Sequence, residues 1–179
     1  MIKQKLWIIL FLAACSSVEI PKDQRDYLAK ETLFLNVKQL ENKNMVAHKS
    51  QETAELVEKI FQWKSKRIKP VGDKNSGVFM IDRAIITPKY SDDGFSIHAT
   101  ADIRLSISSE KESREIKVSA EKNFHTQKEV SAKEKSKLTL ALIEQLIFKL
   151  DEELEKNIGH YLNDYILIDH NQKNRASLR

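Results

Sequence analysis

Chemistry in a protein starts from side chains that can attack, move a proton or hold a metal, and in this 179-residue chain they are few and scattered. There is one cysteine, Cys15, and there are five histidines, His48, His98, His125, His160 and His170. A single thiol forms no intramolecular disulfide, and no histidine pair stands four apart on a helix as a zinc site requires. Two Ser-x-x-Lys tetrads, Ser108 to Lys111 and Ser119 to Lys122, match the spacing at which a lysine one helical turn away activates a serine. On a strand, residues three apart point to opposite faces, so that spacing works only on a helix. The second tetrad falls in a strand pattern and the first in a loop, and neither assembles a nucleophile. His98 and His125 approach each other only if the register of neighbouring strands allows it; an exposed polar role is the simpler expectation. Four glycines leave no phosphate-cradling loop. With no grouped nucleophile, base or metal set, the expectation is a protein that is not an enzyme and takes no cofactor or metal.

Cys15 closes the stretch "LWIILFLAACSS". Lys3 and Lys5 precede nine apolar or small residues, 6–14, and Ser16 and Ser17 follow the thiol. This is the charged, apolar and small-residue order of an export signal. Nine helical residues rise roughly 14 Å, under half of a hydrocarbon core of about 30 Å, so the segment is too short to be a stable span. Within it, Leu12-Ala13-Ala14-Cys15 resembles the bacterial lipobox. The resemblance implies cleavage between Ala14 and Cys15, a diacylglycerol on the sulfur, and a further acyl chain such as palmitate on the freed amine. Thiolate is the one strong nucleophile available, and two alanines let a protease reach the backbone. One acyl chain holds a protein marginally and two or three hold it durably, at about 0.8 kcal/mol per buried CH₂. By the sorting rule of such lipoproteins, Ser16 implies the outer membrane, periplasmic face, in preference to the inner membrane.

The formal charge is +4, with 30 basic and 26 acidic residues. Two of the basic residues are Lys3 and Lys5, so removal of 1–14 leaves 28 against 26, or +2, and nucleic acid is not an expected partner. The hydrophobic fraction of 41% and charged fraction of 31% suit a body that folds in water.

Behind the signal, the polar run "SSVEIPKDQRDYLAKE" reads as a tether. In "TLFLNVKQL", Leu33, Leu35 and Val37 alternate with Phe34, Asn36 and Lys38, which predicts one strand. Ser50 can cap a helix starting at Gln51 and ending near Lys66, with Pro70 beyond and with Ala54, Val57, Ile60, Phe61 and Trp63 on its apolar stripe. Three strand segments follow: "GVFMIDRAIITP", "FSIHATADIRLSI" and "REIKVSAEKNFHT". The middle one alternates strictly over thirteen residues, Phe95 to Ile107, with every odd position apolar or alanine. Ser131 to Glu134 is a capping box, and Leu138, Leu142, Leu146, Leu150, Leu154, Ile158 and Leu162 then repeat every four residues, with Ile143, Ile147 and Tyr161 widening the stripe. The order β-α-β-β-β-α predicts an α+β fold: a four-stranded, mainly antiparallel sheet with two helices packed on one face, the other face left to solvent or a partner. The expected division is a signal at 1–14, a lipidated N-terminus and tether at 15–31, one domain at 32–165 and a polar tail at 166–179.

Anchor and element order together resemble the small α+β envelope lipoproteins of Gram-negative bacteria, a group that includes the lipopolysaccharide-assembly lipoprotein and auxiliary lipoproteins of transport systems. The resemblance implies a non-catalytic interaction or assembly module, lipid-anchored through Cys15, with an envelope protein partner in an outer-membrane export or transport machine. A periplasm-facing hydrolase or ligand-binding lipoprotein is the alternative. One further feature is "KSKRIKP", where Lys64, Lys66, Arg67 and Lys69 crowd the end of the first helix. Cations there suit the helix dipole as a solvated helix end, or they could attract anionic lipid headgroups within a Debye length of about 8 Å.

Overall fold

The structure of the chain, a computed structural model, describes residues 31–47, 50–127 and 129–167. The signal segment, Leu12, Ala13, Ala14, Cys15 and the tether up to residue 30 lie outside the described residues, as do His48, His170 and the tail from 168 onward. In chain order the elements are β1 (Leu33–Leu35), β2 (Gln39–Asn44), α1 (Gln51–Arg67), β3 (Ile68–Pro70), β4 (Ser76–Ser91), β5 (Gly94–Ser108), β6 (Ser113–Thr126), α2 (Ala132–Tyr161), a 3-10 turn (Asn163–Tyr165) and β7 (Ile166–Leu167).

The period-two pattern of β5 decides the architecture. Phe95, Ile97, Ala99, Ala101, Ile103, Leu105 and Ile107 are each at most 1% exposed. The strand lies between β4 and β6, antiparallel to both, and β2 adds to the far edge of β4 in parallel, giving the order β2-β4-β5-β6. Ile116, Val118 and Ala120 of β6 continue the buried face. The β4–β5 hairpin closes through Asp92 and Asp93 at Gly94, whose φ of 120° suits glycine and whose missing side chain leaves room for the Thr126 carbonyl.

Both helices cover this apolar face. The Ser50 hydroxyl accepts from the Thr53 amide at 3.1 Å to start α1, and the capping box of α2 is complete, with the Ser131 amide donating to Glu134 Oε2 at 2.9 Å. Leu142, Leu146, Leu150, Leu154 and Ile158 point into one core with Leu56, Val57, Ile60 and Trp63 of α1. Two helical positions differ from expectation. Ala54 is exposed, its place on the stripe taken by Thr53 and Leu56, and Tyr161 is 61% exposed because the core ends with Ile158 and Leu162.

The strand expected across 32–40 is two strands. Leu35 and Val37 are both fully buried, so the alternation is real, but the hydrogen-bond partners change between them. The Val37 amide turns back to the Leu35 carbonyl at 2.8 Å, the Asn36 amide donates to Tyr165 O, and the Lys38 amide donates to Asn75 O. β1 therefore joins a second, small sheet, β3-β1-β7, and β2 joins the large one. Ile166 and Leu167, expected at the start of the tail, pair antiparallel with Leu35 and Phe34.

Ile103→Ala opens a cavity under the central strand and is expected to cost about 2–5 kcal/mol. Ile85→Ala, on the outer face of β4, is expected to stay within about 0.5 kcal/mol. Urea unfolding of the two variants measures both.

Candidate functional site

The basic cluster at the end of α1 splits into two pairs. Positions four and seven beyond the buried Ile60 share its helix face, so Lys64 and Arg67 turn inward, 6% and 5% exposed, while Lys66 and Lys69 are exposed. Arg67 Nε donates to Asp151 Oδ1 at 2.8 Å, and Nη2 lies 3.4 Å from Glu155 Oε2. Asp151, in the middle of α2, is fully buried. Lys64 lays its stem along the core with Nζ 6.0 Å from the centre of the Phe79 ring. Burial, and secondarily the charge of Lys69, hold its amine below the ordinary lysine pKa. Arg67 and Lys64 thus serve packing, and Lys66 and Lys69 are the members of the cluster free to meet a surface. Asp151 was not visible as a partner in the sequence; the signal was an acid on the leucine stripe, one residue after Leu150.

The face of the large sheet away from the helices is lined with paired charges. Its pattern depends on a bulge in β4, where Ile81 and Ala84 both face the core, so Asp82 and Arg83 both face outward. Each finds a partner on β5: Arg104 Nη2 donates to Asp82 Oδ2 at 2.8 Å, and Arg83 Nε donates to Asp102 Oδ2 at 2.7 Å. Arg104 also lies 3.5 Å from Glu115 Oε2 on β6, and the Ser106 hydroxyl donates to the same oxygen at 3.0 Å. A strict alternation would have put Arg83 in the core.

Of the other residues with chemical potential, His98 and His125 fall on diagonal positions of the outer face, and the serines are kept apart from the lysines. Ser119 is opposite Asp102 on the outer face, and Lys122, three positions on, has the core-side parity opposite Ala99. Ser108 faces Ser113 at 3.1 Å, with Lys111 in the hairpin turn. His98 Nδ1 is 2.6 Å from Asn123 Oδ1, His125 stands opposite Ser96, and His160 lies in the last turn of α2. No group of three metal-binding side chains occurs among the described residues. No described helix is long and apolar enough to cross a membrane. Beside the bulge, an open groove of about 430 Å³ runs between the 45–47 segment, the first turn of α1 and β4, lined by Met45, Val46, Thr53, Arg83 and Ile85 among others. β2 pairs only with Ser76–Ile81, and farther along this edge the Ile86 amide donates to the Thr53 hydroxyl at 3.3 Å.

At the opposite end of the sheet, the β5–β6 hairpin is tied to the end of α2. The Tyr165 hydroxyl donates to Glu112 Oε1 at 3.0 Å, Arg114 Nε is 3.1 Å from the same oxygen, and Arg114 Nη1 donates to Asp164 Oδ2 at 3.0 Å. The tyrosine hydroxyl, then Arg114, hold the Glu112 carboxyl below the usual carboxylate range.

Two measurements follow from these locks. Arg67→Met leaves a buried carboxylate without its main partner and is expected to cost about 3–5 kcal/mol, whereas Arg67→Met with Asp151→Leu recovers most of that loss; urea unfolding of the set measures it. Because the folded-state pKa of Glu112 is depressed, its contribution is fully present above the ordinary carboxylate pKa and is lost as pH falls through the folded value. Glu112→Gln is therefore expected to be less stable than the natural chain at pH 7 and to converge with it as the solution is acidified, read as Tm against pH.

No protein-family model matches the chain, and no curated protein does. Among solved structures, it is similar to a minor lipoprotein from Acinetobacter baumannii, at 10% identity and a TM-score of 0.40, over 75% of this chain and 98% of that one. It is also similar to the rare lipoprotein B from Shewanella oneidensis, at 11% identity and a TM-score of 0.38, over 68% of this chain and 95% of that one. At those values neither likeness supports a statement about activity or partner.

Proposed function

We propose that this chain is an envelope lipoprotein, released from residues 1–14 and held by lipid on Cys15 at the periplasmic face of the outer membrane. Its folded body acts as a non-catalytic interaction or assembly module, and its partner is a component of a lipopolysaccharide-export or transport machine. The observation that carries the reading is Leu12-Ala13-Ala14-Cys15 at the end of an apolar run too short to span a bilayer. Two features of the body support it. The buried charges Arg67 and Asp151 are used to join the helices, and the helix-free face of β4, β5 and β6 presents a broad array of charged pairs.

A ligand-binding lipoprotein is a second reading, favoured by the groove beside Thr53, whose volume falls in the range of small-molecule sites.

Cys15→Ser is the first arm of the test. Labelled palmitate enters the natural protein and not the variant, and the variant leaves the membrane fraction. In the second arm, a photocrosslinker at Lys117 on the helix-free face captures an outer-membrane transport or export component, and one at Lys156 on the outside of α2 does not. Unchanged membrane retention of Cys15→Ser removes the anchor. Absence of any adduct from the Lys117 position removes the module, and saturable binding of a small molecule that raises Tm then favours the second reading.

A further inference from the structure

We propose that the outer face of the small sheet is a membrane-docking surface that lays the body against an anionic bilayer. This rests on the anchor proposed at Cys15. The register pairs Phe34 with Lys69 on one side and with Leu167 on the other, so the three side chains form one row across β3, β1 and β7. Their neighbours Leu35 and Ile68 are buried, and Leu33 and Ile166 pack against the core. By the alternation of strands the row points away from it. Phe34 is half-buried, Lys69 is exposed, and Leu167 is 42% exposed. Val71, two residues beyond Lys69 and hydrogen-bonded through its amide to Leu35, extends the row and is 49% exposed. Lys66, also exposed, lies in the last turn of α1, two residues before β3.

The place where the chain enters the body identifies the occupant. Thr32, the residue before β1, donates its hydroxyl to the Lys66 carbonyl at 3.4 Å. The chain therefore enters the body beside the Lys66 backbone, and a lipid on Cys15 is joined to that point through residues 16–30, whose full extension is about 50 Å. Such a length would let the body hang clear of the bilayer. An apolar row edged by two cations at the point of attachment has the composition of a surface that sits at the headgroup boundary, with lysines over anionic phosphates and hydrophobic side chains below. Glu31 and Asp73 lie close in sequence, so the apolar row supplies part of the contact and net charge alone does not.

In this arrangement the small sheet faces the bilayer and the β4–β5 hairpin points away from it. Tyr90, fourteen residues along β4 from Ser76, is roughly 45 Å from the strand's start. An assembly partner would be met by the long sheet and the distal hairpin.

The test uses lipidated protein purified from cells and reconstituted on vesicles of phosphatidylethanolamine with phosphatidylglycerol, or of phosphatidylcholine alone. An environment-sensitive fluorophore is placed at Leu167→Cys, at Val71→Cys as a second position, or at Tyr90→Cys as a control. Flotation with the vesicles reports the anchor separately. The expected result is flotation in every case, with a blue shift and gain in emission at positions 167 and 71 on the anionic vesicles and none at position 90. Lys66→Glu with Lys69→Glu is expected to reduce the gain about tenfold while leaving flotation intact. Protein that floats with positions 167 and 71 in water overturns the docking surface and leaves the anchor standing. Protein that does not float overturns both.

Discussion

Every other element of this fold is arranged around the need to bury the odd-numbered side of β5. Seven consecutive inward positions, Phe95 to Ile107, are closed from solvent, and that requires a strand on each side and a helical layer above. β4 and β6 supply the strands over the full length of β5, and α1 and α2 supply the layer. The alanines at 99 and 101, in the middle of the strand, are buried with the rest. Hydrophobic burial of this kind has no directional preference, so the helices still have to be set in place along the sheet. Arg67 and Asp151 do so at depth, joining the last turn of α1 to the middle of α2, and Lys135 with Glu52 does so near the surface, joining the two N-terminal ends at 3.0 Å. The first pair costs more to break than to replace, because a lone charge would remain in the core.

The same arrangement sorts polar chemistry away from the core. The bulge at Asp82 converts an Arg83 that strict alternation would bury into one half of a cross-strand pair, and it gives Arg104 its partner. Side chains whose types suggested catalysis are dispersed by the pleat: Ser119 and Lys122 face opposite ways, and His98 meets an asparagine. What is left on the outside is a charged, hydrogen-bonded sheet face covered by no described helix, together with a small sheet whose outward row sets Phe34 and Leu167 beside Lys69.

These two surfaces give the molecule two ends of different character. The small sheet begins at Leu33, next to Thr32 and its bond to the Lys66 carbonyl, and sets Phe34 between Lys69 and Leu167. The long hairpin of β4 and β5 reaches tens of ångströms away from it.

Much of this could be read from residue order alone. The thirteen-residue alternation at 95–107, the capping box at Ser131 and the leucines spaced by four led to three strands and a long helix whose observed bounds differ from expectation by a few residues, since each signal is a local periodicity set by backbone geometry. Ser50 at the start of α1 belongs to the same class. Tertiary structure decided the rest. Leu35 and Val37 keep one alternation while the amides that follow them, of Asn36 and Lys38, donate to the carbonyls of Tyr165 and Asn75 far along the chain. Helical spacing put Arg67 on the inward face of α1, but the group that receives it, Asp151, is 84 residues away. Ile166 and Leu167 joined the fold because β1 offered an open edge. In each case the deciding partner is distant in sequence, and a periodic pattern carries no record of which distant group will meet it.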